Sequence, residues 1–243
     1  MKKTMITVLL AALSITMACA SGPQSLMTKN VRHLVDVDSL PSKRTCGIDV
    51  SKHQGLIDWQ QVAKTKVAFV YVKATEGASH VDPRYKENIK GAKKAGFKVG
   101  AYHFFRTTCS PQDQFDNFIN AVGEDDLDLI PVVDVEEKRY WSSQELRDSL
   151  RVFVDLIDHH FGCKPIIYTG EKFYTEFLGE AFNDCMLNVA KYTATDNGLR
   201  INRKWQLWQF SESGKVSGIK GAVDLNALED ELKVKDIMLP KKE

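Results

Sequence analysis

The chain has 243 residues, 43% of them hydrophobic and 27% charged, with 33 Lys and Arg against 32 Asp and Glu. These are ordinary globular values in a chain long enough for one domain with a sizeable core. The near-zero net charge removes the electrostatic case for a nucleic-acid partner, and nothing after residue 20 is long and apolar enough to span a membrane.

Residues 1–20 read as an export signal: Lys2 and Lys3, an apolar stretch over 5–15, then small residues. Without those two lysines the basic residues fall one short of the acids. Two processing routes fit. Ala18-Cys19 resembles a bacterial lipobox, which would lipidate Cys19 and give a cell-envelope lipoprotein. Ala18-Cys19-Ala20 also fits an A-x-A cleavage site, giving a soluble periplasmic or secreted product. The polar stretch 21–44 looks like a linker and favours the anchored form. Four further cysteines, Cys46, Cys109, Cys163 and Cys185, show no C-x-x-C or Cys/His pairing, so no metal site is expected. Cys163 and Cys185 both precede apolar runs and could bridge in an oxidising compartment; buried free thiols are the alternative.

From residue 45 the elements alternate. A short strand over 45–51 precedes a short helix over 57–64. The apolar run 67–74 has the look of a strand buried on both faces and leads into a loop at Thr75-Glu76-Gly77. Asp82-Pro83 opens a helix with Tyr85, Ile89, Ala92 and Ala95 on one stripe, stopped by Gly96. A third strand covers 97–105. Ser110-Pro111 starts a helix to about Val122, and an acidic loop at 124–126 follows.

The fourth strand is Leu129-Ile130-Pro131-Val132-Val133-Asp134-Val135-Glu136, a branched apolar run that ends in acids. Glu137 and Lys138 read as the start of a solvated loop, with Glu137 facing away from Glu136. Ser142 or Ser143 caps a long helix to about Phe161, ended by Gly162. A fifth strand over 164–170, a short helix over 173–178 and a sixth strand over 186–192 come next. The alternation then breaks: strands at 205–210 and 222–225 have no helix between them, and 229–243 is a charged C-terminal tail. Five strand-then-helix units imply a parallel sheet with right-handed crossovers. Closing it with three more strands predicts an α/β fold, an irregular TIM-like barrel over 45–228 with few late helices. An open doubly wound sheet would need a glycine-rich phosphate loop, which is missing after the first strand.

Strand ends are where such a barrel keeps its chemistry. They carry Asp49, Glu76, His103, Asp134 with Glu136, Tyr168, Tyr192, Trp208 with Gln209, and Asp224; Tyr102 adds an aromatic wall. Each has a structural explanation. Asp49 and Asp224 could cap turns, Glu76 could pair with Lys73, His103 could be a hydrogen-bonded core residue, and the aromatics could be core. Together they say more. Closure makes the first and last strands neighbours, so Asp49 and Asp224 should face the central pair. Residues two apart on a strand share a face about 6–7 Å apart, and crowding separates the proton affinities of two acids. Four carboxylates with aromatic walls suit an uncharged polyol and an oxocarbenium-like transition state.

Gly47-Ile48-Asp49-Val50-Ser51 with Gln54-Gly55, Lys73-Ala74-Thr75-Glu76-Gly77, Gly100-Ala101-Tyr102-His103-Phe104, Asp134-Val135-Glu136, Trp208-Gln209-Phe210 and Val223-Asp224-Leu225-Asn226 resemble the glycoside hydrolase family 25 muramidases. The resemblance covers about Cys46 to Leu228, with the motifs in the family's order. It implies hydrolysis of the β-1,4 bond between N-acetylmuramic acid and N-acetylglucosamine in peptidoglycan. It also implies a barrel of five β/α units and three extra strands. Glu136 would be the general acid, and Asp134 its partner, stabilising the substrate's 2-acetamido group or acting as nucleophile. Asp49 and Asp224 would be supporting carboxylates. Glu76, Tyr102, His103, Tyr168, Tyr192, Trp208 and Gln209 are the expected substrate contacts. The expected partner is the peptidoglycan glycan strand, bound by a monomer that needs no cofactor. A chitinase-like N-acetylglucosaminidase is the alternative, although only Asp134 and Glu136 of its D-x-x-D-x-D-x-E pattern are present. A metal-dependent deacetylase and a non-catalytic wall-binding module are more distant readings.

Overall fold

A computed structural model describes residues 35–39, 44–123, 125–193 and 195–240. The expected signal, the Cys19 anchor and most of the linker lie outside the described residues. In chain order the strands are β1 (Val35–Asp36), β2 (Cys46–Val50), β3 (Val67–Glu76), β4 (His80–Val81), β5 (Lys98–Phe104), β6 (Val132–Asp134), β7 (Ile166–Gly170), β8 (Leu187–Ala190), β9 (Leu207–Lys215) and β10 (Val223–Leu228). The helices are α1 (Trp59–Val62), α2 (Tyr85–Lys94), α3 (Pro111–Ala121), α4 (Ser143–Phe161) and α5 (Glu171–Phe173).

Eight strands close into a barrel in the order β10-β2-β3-β5-β6-β7-β8-β9, with β9 pairing back onto β10. Strands β2 to β9 of that ring run parallel, whereas β10 is antiparallel to both of its neighbours. The five β/α units and the three late strands are all present. The helix ends follow from local chemistry. Ser142 Oγ accepts from the Glu145 N–H (3.2 Å) and the Glu145 carboxylate accepts from the Ser142 N–H (2.7 Å), while Gly162 takes the left-handed φ of 73° that stops α4. Ser110 caps α3, with Pro111 at its first position.

Alternation along the strands divides the core in two. On β3, Val70, Val72 and Ala74 pack outward against the helices, with Ile89 and Phe118, while Phe69 and Tyr71 point into the barrel beside Leu129, Val132 and Ile166. Two glycines make room for those inward rings. A Cβ on Gly47 would lie 2.2 Å from the Phe69 ring, and one on Gly100 2.2 Å from the Tyr71 ring. The same division keeps two cysteines apart. Cys163 packs on the inner cluster and Cys185 belongs to the outer one, so of the two readings the free-thiol one holds and all four described cysteines are unbridged.

Several segments differ from the sequence expectation. The fourth strand contributes only three residues to the ladder: Pro131 has no N–H to donate ahead of it, Ile130 bonds instead to Ile237, and the ladder ends at Asp134. The stretch expected as a charged tail closes the barrel floor: Ile237 is fully buried and its carbonyl accepts from the Ile130 N–H (2.9 Å). The end of the expected linker is likewise docked, with β1 pairing alongside β9 and Arg44 held by Asp196 and Asp230.

Candidate active site

The carboxyl ends of the parallel strands surround a cleft of about 240 Å³. Asp49 enters it from β2 and Asp224 from β10, directly opposite each other in the β10–β2 register. Asp134 ends β6, in register with Phe104 of β5 and Tyr168 of β7. Its own carbonyl accepts from the Phe105 N–H (2.9 Å), and the next N–H, of Val135, donates to the Tyr168 carbonyl (2.9 Å). Val135 turns into the outer core, which returns Glu136 to the cleft side at the exposed mouth.

The wall from β7 round to β2 carries a small hydrogen-bonded array. Gln209 donates through Nε2 to Asp49 Oδ2 (3.0 Å), and its Oε1 accepts from the hydroxyls of Tyr168 (2.8 Å) and Tyr192 (3.0 Å). This fixes the amide orientation and leaves Asp49 facing the cavity. Asp134 is 8% exposed, and its Oδ1 has no hydrogen-bond partner among the described residues. A buried carboxylate oxygen left unpaired is costly unless a ligand supplies the donor.

Burial and mutual repulsion raise the proton affinity of the whole group. Burial, eased by bonds from Asn226 and Gln209, lifts Asp49 to about 6. Burial and then the Asp49 charge lift Asp224 to about 7. Asp134 is raised well above the usual carboxylate range by burial and then by Glu136. Glu136 is also raised by desolvation, against the Tyr168 bond and the charges of Lys73 and Arg106. Carboxyls crowded in this way titrate as a unit and share protons near neutral pH.

Of the residues expected from the sequence, Asp49, Tyr102, Asp134, Glu136, Tyr168, Tyr192, Gln209 and Asp224 line the cleft together. Three do not. His103 points outward from β5, stacked on Phe153 (centroids 4.9 Å, 24°) and bonded to Thr75 Oγ1 (2.7 Å) and Gln114 Oε1 (3.1 Å). Burial holds it down to about 4, so at neutral pH it is an uncharged core residue. Trp208 also faces outward: it is 4% exposed, its indole N–H donates to the Lys191 carbonyl (2.8 Å), and the Arg44 guanidinium lies 5.7 Å from its ring. Glu76 is taken up in ion pairs with Lys73 and Arg106 at the end of β3 and does not line the cleft. Glu137, expected to face solvent, is paired with Arg106 (2.7 Å) and Arg139 (3.0 Å).

Lys73, Phe104, Asn188 and Glu212 line the cleft without having been singled out. For Lys73 the signal was available, since it continues the inward phase of Phe69 and Tyr71 in a strand otherwise apolar. Asn188 had the same kind of signal as a polar residue inside the sixth apolar run. Glu212 had none, because β9 runs five residues beyond its expected end.

The family model described as glycosyl hydrolases family 25 matches residues 48–219. The chain is similar to the uncharacterized protein YegX of Escherichia coli (strain K12), with 38% identity over 187 residues that cover 74% of this chain and 68% of that one. It is also similar to an autolytic lysozyme of Clostridium acetobutylicum, 34% identical over 180 residues that cover 74% and 54% respectively. Among solved structures, a family 25 glycosyl hydrolase from Bacillus anthracis superposes with a TM-score of 0.72 at 31% identity, covering 78% of this chain and 90% of that chain.

Proposed function

This chain belongs to glycosyl hydrolases family 25, and on that premise we propose that it is a retaining muramidase that cleaves the β-1,4 bond between N-acetylmuramic acid and N-acetylglucosamine in peptidoglycan. The observation that carries the reading is the convergence of Asp49, Asp134, Glu136 and Asp224 on one cleft with tyrosine walls. The similarity to an autolytic lysozyme supports it.

Glu136 is the general acid. It stands at the open mouth, where a glycosidic oxygen can reach it, and its raised proton affinity suits an acid that must stay protonated near neutral pH. As the bond from the anomeric carbon to the leaving oxygen breaks, the Glu136 proton moves to that oxygen. The oxygen of the substrate's 2-acetamido group closes onto the anomeric carbon from the opposite face. Asp134 Oδ1, buried and unpartnered, accepts the acetamido N–H and holds the positive charge that develops there. Water then opens the ring with Glu136 as base, giving net retention. Asp49, held by Gln209, and Asp224 surround the developing cation with negative charge.

Export through residues 1–20 fits a substrate outside the cytoplasm. Purified sacculi test the proposal. Wild-type protein clears their turbidity and releases fragments with muramic reducing ends by mass spectrometry. Glu136→Gln folds normally and loses at least about a hundredfold in rate. Glucosamine reducing ends would overturn the assignment.

A further inference from the structure

The ladder of β6 ends at Asp134, and the last main-chain grip on this stretch is at Val135, whose carbonyl accepts from Thr169 Oγ1 (2.7 Å). Glu136 therefore lies on a loop, one residue before a carboxylate that is tied down. Glu137 Oε2 meets Arg106 Nη1 (2.7 Å), and Glu137 Oε1 meets Arg139 Nε (3.0 Å). Arg139 carries a left-handed φ of 46°, a strained value for a residue with a side chain.

The other edge of the Arg106 guanidinium grips Glu76, with Nε 2.9 Å from Oε1. A bulge in β3 makes this geometry available. Lys73 pairs with Tyr102 and Thr75 with His103, skipping Ala74, so Glu76 comes into register with Phe104 on the cleft side. Arg106 is itself rigidly mounted. Its N–H donates to Gln114 Oε1 (2.7 Å), its carbonyl accepts from Gln114 Nε2 (2.9 Å), and Gln114 is fully buried against His103. The guanidinium lies 4.4 Å from the centroid of Phe104, which lines the cleft.

We propose that Arg106 is a positioning residue for Glu136: by bridging Glu76 at the end of β3 to Glu137, it fixes the loop that carries the general acid against the barrel rim. The inference rests on the reading of Glu136 as that acid. The three side chains keep 22–27% of their exposure, and ion pairs so wetted contribute little to stability. A guanidinium that grips a strand end with one edge and a loop with the other is better suited to holding geometry. The acid that it places also faces Lys73 of β3, Asp134 of β6, Tyr168 of β7, Tyr192 beyond β8 and Asp224 of β10.

The test compares Arg106→Met, Arg106→Lys and Glu137→Gln with wild type on purified sacculi, measuring kcat, KM, the alkaline limb of the kcat/KM profile and melting temperature. Arg106→Met is expected to lose about tenfold in kcat with KM within about twofold, since a small displacement of a catalytic group acts on the transition state. Its alkaline limb moves up by about one pH unit, because the Arg106 charge that favours ionised Glu136 is gone and Glu76 and Glu137 keep only one cation each, Lys73 and Arg139. Arg106→Lys restores the limb but not the full rate, having the charge without the fork. Glu137→Gln cuts the same bridge from the other side with an isosteric group: kcat falls at least about threefold and the limb moves down. Should Arg106→Met not fold, an unchanged kcat in Glu137→Gln overturns the proposal by itself. Rate losses that only follow melting temperature, with unmoved limbs, overturn it too. Wild type inert on sacculi would overturn the functional reading and this inference with it, whereas an active wild type with unaffected variants removes this inference alone.

Discussion

Replacing Asp224 with Asn is expected to make the fold more stable at pH 8 and to leave it unchanged at pH 4. Asp224 stands opposite Asp49 across the β10–β2 pair, and burial followed by the Asp49 charge raises its proton affinity from an ordinary 3.8 to about 7. The folded state thus holds the proton more tightly than the unfolded chain. Stability from this group is complete below the unfolded value and is lost as pH rises through about 7. At 1.36 kcal/mol per pH decade the ceiling on that loss is about 4 kcal/mol. Water at the half-buried carboxylate reduces it to about 1–3 kcal/mol. Asn has the shape of the protonated acid and none of the ionisation cost. For a domain of this size the gain corresponds to about 3–10 °C in melting temperature, readable by far-UV circular dichroism at pH 4, 6 and 8. Activity on sacculi falls in the same variant, as expected where a site stores unfavourable charge for its chemistry. A variant that melts no higher than wild type at pH 8, or gains as much at pH 4, would refute the reasoning.

Gly100→Ala is expected to destabilise the barrel by about 3 kcal/mol, because the new methyl would sit 2.2 Å from the Tyr71 ring, which is anchored through its hydroxyl to the Ile130 carbonyl (3.1 Å); a urea midpoint within error of wild type would contradict this. His103, held down to about 4 by burial, should show no imidazole titration by NMR between pH 5 and 8, and a midpoint near 6.5 would mean that it reaches water. Asp134→Asn should lose at least about a hundredfold in kcat on sacculi while melting higher than wild type at pH 8, since it too removes a buried charge; a lower melting temperature at that pH would count against the burial cost. Cys19→Ser separates the two export routes: release of the protein from the membrane fraction supports lipidation, and an unchanged soluble distribution supports the A-x-A route.

Much of the barrel could be read from the chain because its parallel part is built from locally consistent signals. Runs such as the one ending at Ala74 are buried on both faces and so lose the polar alternation of a surface strand. The helices between them announce their ends through Ser110-Pro111, Ser142 and Gly162. What local pattern could not convey were the closures. Ile237 begins a short apolar run, Ile237-Met238-Leu239, inside a charged stretch, and only the open barrel floor explains its burial. The extent of β9 and the skipped Ala74 in β3 are settled by pairing with neighbours distant in sequence.

The site shows the same limit in sharper form. Membership in a motif says that a residue matters but not which way it faces. Tyr102 and His103 are adjacent in one motif, yet strand alternation sends the first into the cleft and the second into the helix layer. Trp208 and Gln209 divide in the same manner. Asp224 is the more instructive residue, because its expected place was reached by an argument that the fold corrects. Strand β10 runs against its neighbours, so the active end of the barrel meets its amino end, and Asp224 lies near the start of the strand. Had β10 been parallel, the same sequence position would lie near the barrel floor, some four residues or about 13 Å from the mouth. The fourth carboxylate thus depends on a chain reversal between β9 and β10, and β9 also brings Gln209 and Glu212 to the cleft wall. The late part of the chain that abandons the β/α rhythm is the part that completes the acid ring.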